Sequence, residues 1–151
     1  EWITNTKPKK IELNNLPYRY QMVANNVIND SKSTNYHSLS YALKEAKNFF
    51  KGLNFVLIVC GDPKKENFRN ISLHEPEEVF IFGVHSKDID KCINHPKKTM
   101  MSSLSQTLET IYKQRTTKNI LFSPGYPSGK DFNNFKERGE HFNLLLKNYI
   151  S

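Results

Sequence analysis

The chain has 151 residues and a formal net charge of +7, from 22 basic and 15 acidic residues. Its longest strongly apolar run, residues 55–60, is strand-sized, so nothing in the sequence resembles a transmembrane span, and the length suits one domain. The basic residues are scattered, mostly in pairs, without a run of five, which favours a solvated surface over a nucleic-acid interface. Some of the lysines could instead face an anionic small-molecule site.

The termini and cysteines bear on processing and location. The chain begins E-W-I-T, with neither an initiator methionine nor the order of a signal peptide, so we expect a mature or excised product. The two cysteines, Cys60 and Cys92, show no metal-type spacing, and Cys60 closes an apolar run where a buried thiol acts as a small hydrophobe. Free thiols favour a reducing cytoplasm.

The predicted elements begin after a polar, aperiodic segment at 1–15, which we expect to be a linker to a domain at 16–151. A first strand is predicted around 22–28, followed by an amphipathic helix from about 37 to 50. Unbroken apolar runs at 55–60 and 79–82 predict central parallel strands covered on both faces. Helical signals are weak at 88–93 and stronger at 104–112. A third apolar strand is predicted at 120–122, and a last helix at 132–149.

Strands that alternate with helices predict an α/β domain with a mostly parallel sheet. In such sheets, ligands bind beyond the carboxyl ends of the strands. These ends fall at 29–32, 60–62, 83 and 123–125 in this sequence. We therefore expect any ligand site to be built from the loops that follow these positions.

A polar cluster at 29–35 follows the first strand and precedes a helix. It combines the carboxylate of Asp30, the ammonium of Lys32 and several hydroxyls near helix-start amides, which suits the binding of an anion. The alternative is an ordinary helix cap with Thr34 or Asn35 as the N-cap residue. Spacing alone leaves both interpretations open.

Two further loops could contribute to the same crevice. Lys64 lies just beyond the second strand end, although a lone lysine in a polar loop is most often a surface residue. Ser128 lies in the stiff turn at 123–129. The sequence has no GxxxxGK[ST] phosphate loop, no HxxxH or HExxH metal motif and no GxSxG serine motif. These residues alone predict an α/β domain that binds a small anion, without a metal site.

Two motifs in these loops resemble those of the Mur ligases. Residues 28–35, INDSKSTN, are similar to the family's INDSKATN, and residues 123–139, SPGYPSGKDFNNFKERG, are similar to SPACASxDxFxNFxxRG. Residues 16–19, LPYR, resemble LPHR, and 60–64, CGDPK, resemble GGDxK. The SKxTN form is typical of the members that add D-glutamate, because sister ligases carry DDYAHxP or DxYNANP there. The pieces occur in family order across roughly 16–150.

The resemblance implies a Rossmann-like C-terminal domain, with helices on both faces of the sheet, that closes over a central ATPase domain upstream. It also implies a cytoplasmic enzyme that adds D-glutamate to UDP-N-acetylmuramoyl-L-alanine during peptidoglycan precursor synthesis. ATP, with Mg²⁺, phosphorylates the alanine carboxylate, and the D-glutamate amine then displaces phosphate from the acyl phosphate. Because the catalytic apparatus would lie in the central domain, we expect this chain alone to be inactive.

The family's site residues map onto seven positions of this sequence. The positions that match D-glutamate ligands are Lys32, Thr34, Lys64, Ser128 and Phe135. Arg19 and Asp30 match residues that reach ATP, the arginine toward phosphate and the aspartate toward ribose hydroxyls. Two ammonium groups can neutralise the two carboxylates of D-glutamate, which agrees with this assignment. The resemblance implies no catalytic residue and no metal ligand in this domain.

Two other classes of function remain open from the sequence. One is a stand-alone module that binds an acidic metabolite and lacks an ATPase. The other is a nucleic-acid-binding domain, which only the net charge suggests. Phosphate contacts predict a steep loss of affinity with salt, whereas a carboxylate site should discriminate stereochemistry, so a salt series separates them.

Overall fold

A computed structural model describes residues 17–66 and 70–150, so the predicted linker at 1–15 lies outside the described residues. Strands and helices alternate along most of this part of the chain. In chain order they are β1 (Gln21–Ala24), β2 (Val27–Asn29), α1 (Tyr36–Phe49), β3 (Val56–Cys60), a 3₁₀ turn (Pro63–Glu66), β4 (Ile71–Ser72), β5 (Glu78–Phe82), α2 (Ser86–Cys92), β6 (Ile93–Asn94), β7 (Lys98–Met101), α3 (Leu104–Gln114), β8 (Ile120–Gly125) and α4 (Phe135–Leu146).

The main sheet has the order β1-β2-β8-β3-β5-β7. Every pairing in it is parallel except that of β1 with β2. The three central strands β8, β3 and β5 are buried along their whole lengths, as their unbroken apolar runs predict. The mostly parallel α/β architecture expected from the sequence is therefore confirmed.

Helices cover both faces of this sheet. On one face, Leu39 and Leu43 of α1 and Ile89 of α2 pack in an apolar cluster with the inward side chains of the sheet. The opposite face is covered by α3 and α4, where the ring of Phe142 stacks on Phe122 of β8 with centroids 4.4 Å apart. The layered packing places the carboxyl ends of β2, β8, β3 and β5 along one edge of the domain.

The region predicted as one first strand is a hairpin instead. Asn25 and Asn26 form the turn between β1 and β2, since asparagine tolerates the backbone angles of tight turns. The Asn26 side chain donates a hydrogen bond to the Lys118 carbonyl at 2.8 Å, which fixes the turn beside β8. Strands β4, β6 and β7 are not predicted from the sequence, because they are short and only partly buried.

The two cysteines lie free and buried in the core. Burial raises the pKa of the Cys60 thiol to about 12, so it is un-ionised at neutral pH, which confirms its predicted role as a small hydrophobe. None of the helices in the described part of the chain has the length and apolarity needed to cross a bilayer.

Candidate ligand-binding site

A cavity of about 520 Å³ opens beyond the carboxyl end of β2, beside the first turns of α1 and α4. We call it the first crevice. It brings together five of the seven positions that the sequence analysis selected: Arg19, Asp30, Lys32, Thr34 and Phe135. The two motifs at 28–35 and 123–139, far apart in sequence, therefore meet at one site.

A second cavity of about 470 Å³ adjoins the first crevice. Arg19, Lys32 and Phe135 line both cavities, so these three side chains form the wall between them. The ammonium of Lys32 lies 4.2 Å from the centroid of the Phe135 ring, within the range of a cation–π interaction. This contact holds a positive charge at the boundary of the two cavities.

The backbone around Arg19 is unusual. Tyr18 and Tyr20 have φ angles of 63° and 48°, in the left-handed region that aromatic residues rarely occupy. Two hydrogen bonds to the loop after β2 hold them: the Lys32 N–H donates to the Tyr18 carbonyl at 2.9 Å, and the Tyr20 N–H donates to Asp30 Oδ1 at 2.8 Å. The exposed Arg19 is thus placed at the mouth of the first crevice by a constrained segment.

Asp30 is buried, with only 7% of its surface exposed. Its Oδ1 accepts the Tyr20 N–H, and its Oδ2 accepts the Ser123 hydroxyl at 2.8 Å. Burial raises the pKa of Asp30 to about 6, although the Ser123 and Tyr20 hydrogen bonds and the charges of Arg19 and Arg138 oppose the shift. Each carboxylate oxygen carries a second lone pair, so Asp30 can still accept a hydrogen bond from a ligand.

The loop that joins β2 to α1 is fixed on both sides. Asn35 is the N-cap of α1 and accepts the Ser38 N–H at 2.8 Å, so the capping interpretation is confirmed for Asn35 and not for Thr34. The Ser31 hydroxyl donates to the Phe135 carbonyl at 2.8 Å, and the Gly125 N–H donates to the Ser33 carbonyl at 3.1 Å. Thr34 is therefore left free of the capping role and lines the first crevice.

Lys64 and Ser128 do not line the first crevice but lie at the adjacent ends of β3 and β8. Lys64 is exposed, and its N–H donates to Asp62 Oδ1 at 3.0 Å. The neighbouring Lys65 reaches the Ser128 carbonyl with its ammonium at 3.1 Å. The Asp62 N–H donates to the Pro127 carbonyl at 2.9 Å, so the loops carrying Lys64 and Ser128 are in direct contact.

His85 was not among the positions selected from the sequence. It lies with Lys64 and Ser128 in the loops that follow β3, β5 and β8, which we call the second group of loops. His85 follows β5, and its Nε2 lies 3.8 Å from Asp62 Oδ2. The signal that could have identified it is its place just beyond a predicted strand end at Gly83. The histidines of the sequence form no HxxxH or HExxH pair, so no metal motif marks His85. Across residues 17–66 and 70–150, no group of three His, Cys, Asp or Glu side chains could hold a metal ion.

Arg138 is a second residue whose role the motif alone did not indicate. It is completely buried, and its guanidinium donates to Ser31 and to the Tyr126 carbonyl. Gly139, the next residue, accommodates Tyr18, because a Cβ at this position would lie 2.4 Å from Cδ1 of that ring. The RG pair at the end of the second motif therefore anchors the loops that carry the candidate ligand residues.

No protein-family model matches the chain. The chain is 32% identical over 143 residues to the UDP-N-acetylmuramoylalanine–D-glutamate ligase of Petrotoga mobilis, a match that covers 87% of the chain and 32% of that enzyme. It is 35% identical over 141 residues to the ligase of the same name from Buchnera aphidicola subsp. Acyrthosiphon pisum (strain Tuc7), covering 88% of the chain and 31% of the relative.

A third relative of the same name, from Hydrogenobaculum sp., is 33% identical over 144 residues, covering 90% of the chain and 34% of the enzyme. The chain thus spans about a third of the length of the curated relatives it matches. The similarity extends over most of the chain and includes relatives from Petrotoga, Buchnera and Hydrogenobaculum. The chain is therefore homologous to the UDP-N-acetylmuramoylalanine–D-glutamate ligases, and the part of them that it matches is a Mur ligase C-terminal domain.

Proposed function

We propose that the full-length protein containing this chain is an ATP-dependent ligase that adds D-glutamate to UDP-N-acetylmuramoyl-L-alanine, and that this chain binds D-glutamate and closes over ATP. The observation that carries the proposal is the meeting of Lys32, Thr34 and Phe135 with Arg19 and Asp30 in the first crevice. The homology to ligases of that name supports the same reaction.

For D-glutamate, the first crevice offers a cation, a hydroxyl and an aromatic wall. The Lys32 ammonium is held over the Phe135 ring and can form a charge-assisted hydrogen bond with one carboxylate. The Thr34 hydroxyl, free of the capping role, can orient the same group. Lys64 and Ser128, on the adjacent loops, would bind the other carboxylate. Fixed partners on two sides would hold the amine in one orientation, which is what an attack on an acyl phosphate requires.

For ATP, the mouth of the first crevice offers a guanidinium and a carboxylate. Arg19 is exposed on a constrained segment, and its planar fork suits a phosphate group. Asp30 lies beside it and can accept a hydrogen bond from a ribose hydroxyl. Such contacts would form when this domain closes over a central ATPase domain, and closure would also exclude water from the reactive acyl phosphate.

The bond-forming chemistry would take place outside this chain. In the proposed reaction, ATP phosphorylates the alanine carboxylate, and the amine of D-glutamate attacks the resulting acyl phosphate and expels phosphate. Mg²⁺ would neutralise phosphate charge during this transfer. In this proposal ATP and Mg²⁺ are bound mainly by the central domain.

The test is a ligation assay on the full-length protein with ATP, Mg²⁺, UDP-N-acetylmuramoyl-L-alanine and either D-glutamate or L-glutamate. We expect product with D-glutamate only. Lys32→Ala should raise the KM for D-glutamate roughly tenfold or more, because it removes a charged hydrogen-bond donor. Arg19→Ala should instead raise the KM for ATP.

Lys47→Ala is the matched control, because Lys47 is exposed in the last turn of α1, away from the first crevice. It should leave both KM values unchanged. If the full-length protein lacks an ATPase domain, binds an acidic metabolite and forms no amide, it is a binding module and the ligase proposal is wrong. An unchanged KM for D-glutamate in the Lys32 variant would remove that residue from the proposed site.

A further inference from the structure

Two buried polar atoms in the second group of loops have no hydrogen-bond partner within the described part of the chain. They are Nε2 of His85 and the hydroxyl oxygen of Ser128. Buried polar groups in proteins are almost always hydrogen-bonded, because leaving them unpaired costs free energy. These two atoms lie beyond the carboxyl ends of β5 and β8, the strands on either side of β3, where a ligand could complete their hydrogen bonds.

The backbone brings these two groups close together. A Cβ placed on Gly129, the residue after Ser128, would lie 2.9 Å from Cδ2 and 3.1 Å from Nε2 of His85. The imidazole thus packs against the backbone of Gly129, in the space that a side chain at position 129 would occupy. Asp62 Oδ2 lies 3.8 Å from Nε2, too far for a hydrogen bond.

Charged side chains of both signs surround this position. Lys65 donates to the Ser128 carbonyl at 3.1 Å, and Lys64 is exposed in the same 3₁₀ turn. Two carboxylates are also near: Asp62 Oδ1 accepts the Lys64 N–H, and Asp131 accepts the Val84 N–H at 3.1 and 3.3 Å. The two ammonium groups offset these two carboxylates, so an incoming carboxylate would depend on the two unpaired donors for its hydrogen bonds.

We propose that His85 is a further D-glutamate-binding residue, and that its Nε2–H and the Ser128 hydroxyl bind the same carboxylate of the substrate. This inference rests on the proposed function. Arg19 and Asp30, the proposed ATP contacts, lie in the first crevice, where the amine must meet the acyl phosphate. His85 and Ser128 lie outside that crevice, so they bind the side-chain carboxylate, which is remote from the reacting amine.

The test measures KM separately for D-glutamate, ATP and the UDP-linked substrate in the full-length protein. His85→Ala should raise the KM for D-glutamate roughly tenfold or more and leave the other two within about twofold. His85→Gln, whose amide still donates, should recover part of the loss. The double variant His85→Ala with Ser128→Ala should raise the KM for D-glutamate by less than the product of the two single-variant factors, because both residues bind one group.

His74→Ala is the matched control, since His74 is exposed and lies outside the first crevice and the second group of loops. An unchanged D-glutamate KM in His85→Ala would overturn the inference and leave the proposed function standing. Equal rises in KM for all three substrates, with a lower Tm in both His85 variants, would show that His85 has a structural role. That result would also overturn the inference. A wild-type protein that forms no product with D-glutamate would overturn the proposed function, and this inference with it.

Discussion

The guanidinium of Arg138 donates to both oxygens of Ser31, with Nε 3.1 Å from the hydroxyl and Nη2 2.7 Å from the carbonyl. A third hydrogen bond, from Nη1 to the Tyr126 carbonyl, measures 3.0 Å. One buried side chain of α4 therefore fixes the loop after β2 and the loop after β8 at once. Burial lowers the pKa of Arg138, but from a value so high that the group remains charged.

Replacing Arg138 by Met should destabilise the chain by about 3–5 kcal/mol, because the Ser31 and Tyr126 carbonyls would be left buried and unpaired. Arg138→Lys should recover little, since an ammonium cannot reproduce the fork of donors. Urea unfolding at constant m-value measures both effects. A loss below about 1 kcal/mol in the Met variant would show that these hydrogen bonds are not needed.

Asp30→Asn should change how stability depends on pH. The folded pKa of Asp30, about 6, is above the unfolded value, so the folded state binds the extra proton and the wild-type chain loses stability as pH rises through 6. Relative to the Asn variant, we expect the wild type to lose about 2 kcal/mol between pH 4.5 and 7.5. Parallel pH profiles for the two proteins would contradict a raised pKa at this position.

Replacing Glu78 should change the pH dependence of stability in the opposite direction. It is buried, and although burial opposes ionisation, hydrogen bonds from Arg115 at 2.7 and 3.0 Å and from Thr99 at 2.6 Å keep its pKa below the usual value. Its stabilising effect is therefore present above the unfolded pKa and is lost as pH falls through the lower folded pKa. Glu78→Gln should cost about 3 kcal/mol at pH 7 and progressively less below pH 4.

The Lys32–Phe135 contact gives a prediction on substrate use that rests on the proposed function. Phe135→Leu removes the ring under the ammonium, and a cation–π interaction is worth about 0.5–1 kcal/mol at a partly exposed site. We expect the KM for D-glutamate to rise about two- to fivefold, whereas Phe135→Tyr, which keeps a ring, should be close to wild type. Equal effects of the two substitutions would show that the ring face is not important.

The parts of the fold that the sequence predicted are those set by local pattern. The apolar runs at 55–60, 79–82 and 120–122 correspond to the buried strands β3, β5 and β8, and helical periodicity located α1, α3 and α4. The edge strands were missed because β7, Lys98–Met101, is only partly buried and carries no apolar run. Half-exposed strands owe their structure to a neighbouring strand, which a local pattern does not contain.

The candidate residues were selected by motif, but their grouping depends on strand order. Because β8 lies between β2 and β3, Lys32 and Phe135 share the first crevice. Lys64 and Ser128 lie outside it, beyond the carboxyl ends of β3 and β8. A pattern along the chain does not contain that order. Nor does it show that Arg138 is buried or that His85 rests against Gly129, since both follow from packing. The ligand-binding roles themselves remain predictions.

The position of β8 also has a consequence for how the chain folds. Residues 120–125 form the strand that joins β2 to the rest of the sheet, so the hairpin at 21–29 has no partner until the last quarter of the chain is present. During synthesis, β3, β5 and β7 can pair first, while the β2 edge of the hairpin remains unpaired until β8 is made. We therefore expect completion of this sheet, and with it assembly of the first crevice, to be the late step of folding.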